Sequence, residues 1–149
     1  MAFIGDGNNM ANSLIVGAVK MGMNFTVACP EGYEPDAELV KWGKECGLLT
    51  VRSDVNSAIE GADVLYTDVW ASMGQEKEKK ERENVFKGFQ INEKNIKNAK
   101  EDVMVMHCLP AHRGEEITDG VFEAHAKEIF DEAENRLHAQ KAVMVKLMR

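Results

Sequence analysis

Five short apolar runs, each separated from the next by a segment with helical periodicity, constrain the fold of this chain more than any other feature. Short runs rich in β-branched and apolar residues are typical of parallel strands that are covered on both faces. Because parallel neighbours need a crossover connection, the segments between them are expected to be helices. The pattern therefore predicts an α/β fold: a three-layer, Rossmann-like sandwich around a five-stranded parallel sheet. The predicted strands are residues 2–5, 24–29, 48–51, 63–69 and 102–106.

Helices are predicted between and after these strands. Asp36 is suited to cap the second of them, because its carboxylate can accept from the free amides of a first helical turn. The run of interleaved opposite charges after Gly74 predicts a solvated helix without a binding role, tied to the core by Val85, Phe86 and Phe89. The predicted helices are residues 10–21, 36–46, 53–59, 75–87, 92–99, 119–125 and 131–148, with residues 129–130 as a short extended piece.

Features at both ends of the chain suggest that it belongs to a longer protein. The first residues, Ala2 to Gly5, read as the tail of a strand, so the chain opens almost inside a folded element. The last helix has one apolar side with Leu137 and Met144 and a second with Val143, and one domain surface does not cover both sides. We therefore expect that the chain is the second half of a longer protein and that this helix docks against something outside it.

Length, charge and cysteine content exclude several classes of protein. At 149 residues the chain is expected to form a single domain over residues 1–149. Its net charge of -7 opposes binding to nucleic acid and to anionic membranes, and no apolar run reaches the length of a membrane span. The cysteines at 29, 46 and 108 form neither a CxxC pair nor an even secretory set, which favours reduced thiols and a cytoplasmic location. The partners expected are small molecules or proteins.

The stretch VMVMHCLPAHRG, residues 103–114, carries the strongest chemical signal. Ligands of parallel α/β sheets collect outside the carboxyl ends of the strands, where His107 and Cys108 are expected to lie. Neighbouring residues of an extended segment face opposite sides, so His112, beyond the turn, is better placed than His107 to reach the thiol. Pro110 stiffens the turn. The alternative is that Cys108 is only a buried core residue, since free cysteines are among the most often buried residues.

Polar groups after the first and fourth strands suggest a site for a free amino acid. The loop before the first helix lacks a dinucleotide fingerprint, because Met10 stands where the third glycine belongs. Asn8 and Asn9 instead place amides beside the free N–H groups of a helix start, which suits a carboxylate. Asp68 and Ser72 can bind an ammonium group. Taken alone, an aspartate at a strand end is often only a cap.

The segments GDGNNM, TDVWASMG, HCLPAHRGEE and EAENRLHAQKAVM together resemble the C-terminal, amino-acid-binding half of the ornithine carbamoyltransferases. The resemblance covers essentially the whole chain from Phe3 onward, in order. The related aspartate enzymes carry a proline in place of Cys108 and an arginine-bearing loop where this chain has SMG. The resemblance therefore favours L-ornithine over aspartate as the substrate.

The resemblance also implies roles for residues on the ornithine side of the site. Asn9, helped by Asn8, is expected to bind the carboxylate of ornithine. Asp68 and Ser72 are expected to hold its α-amino group, with the backbone of Met73 lining the same pocket.

On the carbamoyl phosphate side, the resemblance implies that Cys108 and Leu109 lie where the side-chain amine of ornithine meets that substrate. Arg136 is expected to reach carbamoyl phosphate, and the Leu109–Pro110 bond is expected to be cis. The catalytic residues would then be Cys108 and Arg136. The thiol would tune and position the amine rather than act as a nucleophile, while backbone groups and Arg136 stabilise developing negative charge.

The resemblance implies carbamoyl transfer from carbamoyl phosphate to L-ornithine, giving L-citrulline and phosphate, without a metal or organic cofactor. It also implies a homotrimer for the full-length parent. The family's other half, with a Ser-Thr-Arg-Thr loop and a His-Pro-x-Gln segment for carbamoyl phosphate, has no counterpart in this sequence. The isolated chain is therefore predicted to be inactive. The alternatives are an amino-acid-binding or regulatory module without catalysis, which needs Asn9, Asp68 and Ser72 but not Cys108, and a plain nucleotide-binding domain.

Overall fold

The computed structural model describes residues 1–71 and 79–148 and contains one sheet of parallel strands. The strand order is β3-β2-β1-β4-β5, with β1 in the centre. Phe3 of β1 lies opposite Val27 of β2 on one side and Tyr66 of β4 on the other. The α/β fold with a five-stranded parallel sheet is thus confirmed. The strands are β1 (Ala2–Ile4), β2 (Phe25–Ala28), β3 (Leu49–Arg52), β4 (Val64–Thr67) and β5 (Met104–His107).

Helices cover both faces of the sheet and form the outer layers. Phe3 and Tyr66 pack with one group of helices, whereas their neighbours Ile4 and Leu65 pack with the other, because successive strand residues face opposite sides. Helices α1 and α2 lie on the first side, and α3, α5 and the start of α6 lie on the second. The helices are α1 (Asn9–Lys20), α2 (Ala37–Glu45), α3 (Val55–Ile59), α4 (Lys79–Phe86), α5 (Asp119–Ala124) and α6 (Ala126–Leu147).

Local side chains set several helix boundaries. The carboxylate of Asp36 accepts from the amides of Glu38 and Leu39, so its predicted role as the cap of α2 is confirmed. The helix predicted over residues 92–99 is wrong, since only a 3-10 turn, Ile96–Asn98, forms there. The Asn92 side chain accepts from the backbone amides that follow it, which gives the backbone an alternative to helical bonding.

The last helix begins earlier than predicted. The extended piece predicted at residues 129–130 is wrong, because both residues lie inside α6, and Ile129 is completely buried against the sheet. From Ala133 to Met148 every residue is exposed, including Leu137, Met144 and Leu147. This domain therefore covers only the start of α6. Within the described ranges, no helix is long and apolar enough to cross a membrane.

The charged helix is less solvated than predicted. Helix α4 is described over Lys79–Phe86, and residues 75–78 of the predicted element lie outside the described ranges. Phe86 is fully buried as expected, whereas Val85 is exposed. Arg82 is only 5% exposed, so the prediction of a helix that merely faces solvent is wrong at this residue.

Candidate functional site

A cleft of about 750 Å³ opens at the carboxyl ends of β1, β4 and β5. The chain moves outward from β1 through β2 to β3 and then returns to β4 on the other side of β1. Ligands of open α/β sheets bind at such a switch point, because loops from both sides converge there. The structure brings five of the predicted site residues to the lining of this cleft: Asn9, Asp68, Cys108, Leu109 and Arg136.

Asp68 and Cys108 form a hydrogen-bonded pair within the cleft. Asp68 follows β4 and is 8% exposed, and the thiol of Cys108 donates to its Oδ1 atom at 3.1 Å. The same oxygen accepts from the amide of Val69 at 2.8 Å, which fixes the carboxylate. Burial, followed by the hydrogen bond to Asp68, raises the pKa of the Cys108 thiol. Cys108 is therefore held as a thiol at neutral pH, which does not suit a thiolate nucleophile.

His107 holds the loop after β5 in place through hydrogen bonds. Both His107 and Glu116 are completely buried. The Nδ1 atom of His107 accepts from the amide of Leu109 at 2.9 Å, so the ring proton is assigned to Nε2, which donates to Glu116 Oε1 at 3.0 Å. The same carboxylate oxygen accepts from the amide of His112 at 2.6 Å. Glu116 therefore ties both ends of the loop together.

The turn between these ends has the geometry that the resemblance implied. The Leu109–Pro110 bond is cis, which confirms that prediction, and Leu109 has a left-handed φ of 54°. The side chain of His112 lines the cleft, as does the thiol of Cys108, but the bonded partner of the thiol is Asp68. The sequence pattern suggested His112 for that place because it ignores side chains that arrive from another strand.

The asparagines at the start of α1 have different roles. Asn8 is the N-cap, and its side chain accepts from the amide of Met10 at 3.0 Å. Asn9 is exposed and lines the cleft beside the first turn of the helix. The loop before them is held close to another loop, since a Cβ atom on Gly7 would lie 2.2 Å from the backbone nitrogen of Pro35. Of the pair, Asn9 is therefore the residue available to a ligand.

Arg82 is a buried cation beneath the segment that follows Asp68. Its Nε atom donates to the carbonyl of Trp70 at 2.5 Å, and its guanidinium pairs with the carboxylate of Asp6. The guanidinium carbon also lies 5.0 Å from the ring centre of Tyr33. These contacts hold Trp70 in place. Two further predicted site residues, Ser72 and Met73, lie outside the described ranges.

Two groups of potential metal ligands occur in the described ranges: Asp68, His107 and Cys108, and His112, Glu115 and Glu116. In the first group, both ring nitrogens of His107 already have partners, and the thiol is bonded to Asp68. Hydrogen bonding thus accounts for the arrangement of that group. In the second, Glu115 pairs with Lys79 of α4 at 3.0 Å.

Comparisons with known proteins place the chain in a family. Residues 1–147 match the family described as aspartate/ornithine carbamoyltransferase, Asp/Orn binding domain. The chain belongs to this family. The resemblance of its sequence segments to the amino-acid-binding half of these carbamoyltransferases is thereby confirmed.

Relatives and solved structures agree with this membership. The ornithine carbamoyltransferases of Thermococcus kodakarensis and Geobacter metallireducens are 52% and 53% identical to the chain, each over 99% of it and over 49% and 50% of the relative. The crystal structure of anabolic ornithine carbamoyltransferase from Campylobacter jejuni superposes with a TM-score of 0.92 at 40% identity, covering 98% of this chain and 50% of that one. The Pyrococcus furiosus enzyme gives 0.87 at 51% identity, covering 96% and 47%. The chain thus spans about half the length of the carbamoyltransferases it matches.

Proposed function

We propose that this chain, as a single domain over residues 1–149, is the ornithine-binding half of an ornithine carbamoyltransferase. The proposed reaction transfers the carbamoyl group of carbamoyl phosphate to L-ornithine and yields L-citrulline and phosphate. The observation that carries the proposal is the Asp68–Cys108 pair at the switch point of the sheet, in one cleft with Asn9 and Arg136. Chains named ornithine carbamoyltransferase that match over nearly its whole length support it.

Ornithine is proposed to lie between the start of α1 and the end of β4. Asn9 and the N-terminal end of α1 favour a carboxylate, because the free amides and the helix dipole attract negative charge there. Asn8 contributes by capping the helix and fixing these amides. Asp68 accepts from the α-ammonium group, and Ser72 and the backbone of Met73 are proposed to complete that pocket.

The reacting groups are proposed to meet at the loop after β5. The neutral side-chain amine of ornithine attacks the carbamoyl carbon and forms the new C–N bond. The C–O bond to phosphate breaks, and phosphate leaves with that electron pair and takes up the proton that the amine loses. Cys108, held as a thiol, and the backbone of Leu109 position the amine and the carbamoyl group. Arg136 stabilises negative charge on carbamoyl phosphate. The step needs no covalent enzyme intermediate, and the proposal includes no metal or organic cofactor.

Carbamoyl phosphate is proposed to need a second half that carries its phosphate-binding groups. Relatives are about twice as long as this chain, and the exposed apolar residues of α6 offer a surface on which that half can pack. We therefore propose that the chain alone has no appreciable transferase activity. On the family resemblance and the reduced thiols that the cysteine pattern favours, the full-length parent is proposed to be a cytoplasmic homotrimer. Citrulline formed from ornithine and carbamoyl phosphate by this chain alone would contradict the proposed inactivity.

Calorimetric titration of the chain with L-ornithine tests the proposed site. Asp68→Asn keeps the size of the side chain but removes its charge, and hydrogen bonds to charged groups contribute about 1.5–3 kcal/mol. The substitution is therefore expected to weaken binding by roughly tenfold or more. The matched control is Asp63→Asn, directly before the same strand, where the exposed aspartate pairs with Lys100. Equal affinities of the wild type and the Asp68 variant would overturn the assignment.

A further inference from the structure

Glu132 marks the point at which α6 leaves the domain. It is half-buried, and from Ala133 onward the helix is exposed along its whole length. Residues of α6 before this point pack on the sheet through Ile129, which is completely buried. The side chain of Glu132 is therefore the last one of α6 that the domain shields from solvent.

The carboxylate of Glu132 connects α6 to two neighbouring strands. One oxygen accepts from the hydroxyl of Tyr66 in β4, and the other accepts from the backbone amide of His107 at the end of β5 at 3.1 Å. Strand β5 is at the edge of the sheet. The His107 amide, which is bonded to Glu132, therefore has no neighbouring strand on that side to supply an acceptor. Glu132 supplies that acceptor and fixes the helix against the strand ends that carry Asp68 and Cys108.

The contact also sets the position of Arg136. Residues four apart lie on the same face of a helix, so Arg136 lies one turn beyond Glu132 on the side of the cleft that it lines. Because no side chain of α6 beyond Glu132 is covered by the domain, the direction in which Arg136 is presented depends on this last contact.

The charge of Glu132 acts on the cleft as well. Burial raises the pKa of Tyr66, and the hydrogen bond to Glu132 raises it further, so the hydroxyl stays protonated and donates. Two carboxylates oppose formation of a thiolate at Cys108: Asp68 after β4, which accepts from the thiol, and Glu132 in α6, which accepts from the amide of the residue directly before Cys108. Three basic side chains line the same cleft from the other elements around it: Lys79, His112 and Arg136.

We propose that Glu132 is a positioning residue of the site, which locks α6 to the ends of β4 and β5, aims Arg136 into the cleft and places its charge beside the loop that carries Cys108. Its relevance to catalysis rests on the proposed function of Cys108 and Arg136. If Glu132 were merely a structural anchor, loss of its hydrogen bonds would change the reactivity of Cys108, and loss of its charge alone would not. The two roles can be separated by substitutions that change one and keep the other.

The test measures alkylation of Cys108 by iodoacetamide between about pH 8 and pH 10, where the rate follows the thiolate fraction. Exposed Cys46 in the same chain serves as the internal reference. Glu132→Gln removes the charge and is expected to accelerate alkylation of Cys108 by about threefold or more. Glu134→Gln on the exposed face of the same helix is the matched control and is expected to leave the rate unchanged.

Tyr66→Phe removes one hydrogen bond that holds α6 but keeps the charge of Glu132. The rate of Cys108 alkylation in this variant is therefore expected to stay closer to that of the wild type. Equal rates in the wild type and Glu132→Gln, or equal acceleration in Glu132→Gln and Tyr66→Phe, would overturn the proposal. Hydrogen exchange in the wild type needs no substitution. The amide of His107 is expected to be protected, and exchange as fast as that of an exposed, unbonded amide would refute the contact.

Neither readout uses ornithine. Failure of these experiments therefore leaves ornithine binding at Asp68 untouched, and failure of ornithine binding leaves the role of Glu132 in the fold untouched.

Discussion

Replacing Arg82 by methionine tests whether its buried ion pair with Asp6 stabilises the fold. The side chain of Arg82 is 6% exposed and that of its partner Asp6 is 13% exposed, so solvent screens this pair very little. Methionine keeps an unbranched apolar chain in contact with Tyr33 and Phe86, but it leaves the carboxylate of Asp6 and the carbonyl of Trp70 without this donor.

The size of the effect follows from these contacts. Removal of one partner from a buried ion pair costs about 3–5 kcal/mol, because the other charge remains buried without compensation. A domain with a free energy of unfolding of about 5–15 kcal/mol is expected to stay folded after this loss. At about 2–4 °C per kcal/mol for a chain of this size, the melting temperature should fall by roughly 10 °C. Urea unfolding followed by circular dichroism measures the free energy directly.

The pH dependence of stability and a double variant make the Arg82 prediction specific. Burial raises the pKa of Asp6, and attraction to Arg82 only partly offsets this, so the charged carboxylate lowers stability above its folded pKa. Without Arg82 the pKa of Asp6 rises further, so Asp6 takes up a proton at a higher pH in Arg82→Met than in the wild type. The loss of unfolding free energy in the variant should therefore shrink as the pH falls. Adding Asp6→Asn should restore part of the loss at about pH 7. A deficit under about 1 kcal/mol, or no recovery in the double variant, would refute the reasoning.

Other substitutions probe the scaffold, and thermal melting measures each of them. Gly43→Ala places a methyl group 2.7 Å from the Cβ atom of Leu49 and should cost about 1–3 kcal/mol, with no loss as the contradicting result. Gly17→Ala in α1, where the added atom meets nothing within 4 Å, should instead stabilise by about 0.5–1 kcal/mol. Asp36→Ala removes the cap of α2 and should cost about 1 kcal/mol. Thr67→Val removes a buried 2.7 Å hydrogen bond to a carbonyl of β1 and should cost about 1 kcal/mol, so an unchanged melting temperature would contradict its role.

The sheet could be predicted from the sequence because strands covered on both faces leave a strong local pattern. The placement of Asp68 and Cys108 in one cleft could be predicted for the same reason. Each directly follows such a strand, and the ends of parallel strands meet at one edge. The sequence did not, however, indicate that the thiol bonds to Asp68 rather than to His112. Partner choice across strands depends on side-chain positions that no local pattern records.

The contacts of Arg82 and Glu132 were missed because their partners lie far away in sequence. Arg82 sits in a run of mixed charges and pairs with Asp6, 76 residues away. Glu132 binds the hydroxyl of Tyr66, 66 residues away. A partial signal existed for Glu132, because it belongs to the EAENR segment that supplied Arg136. The extended piece predicted at residues 129–130 failed because a short apolar pair cannot distinguish a strand from one buried turn of a helix.

The central claim is that this chain carries the amino-acid site of a carbamoyltransferase and that the site accepts ornithine. Its family includes binding domains for aspartate as well as ornithine, so parallel calorimetric titrations of the wild-type chain with L-ornithine and L-aspartate test the claim most directly. We expect saturable heat with ornithine and none with aspartate, because Asp68 and the net charge of -7 oppose a second carboxylate. Equal or tighter binding of aspartate, or no binding of ornithine, would contradict the assignment.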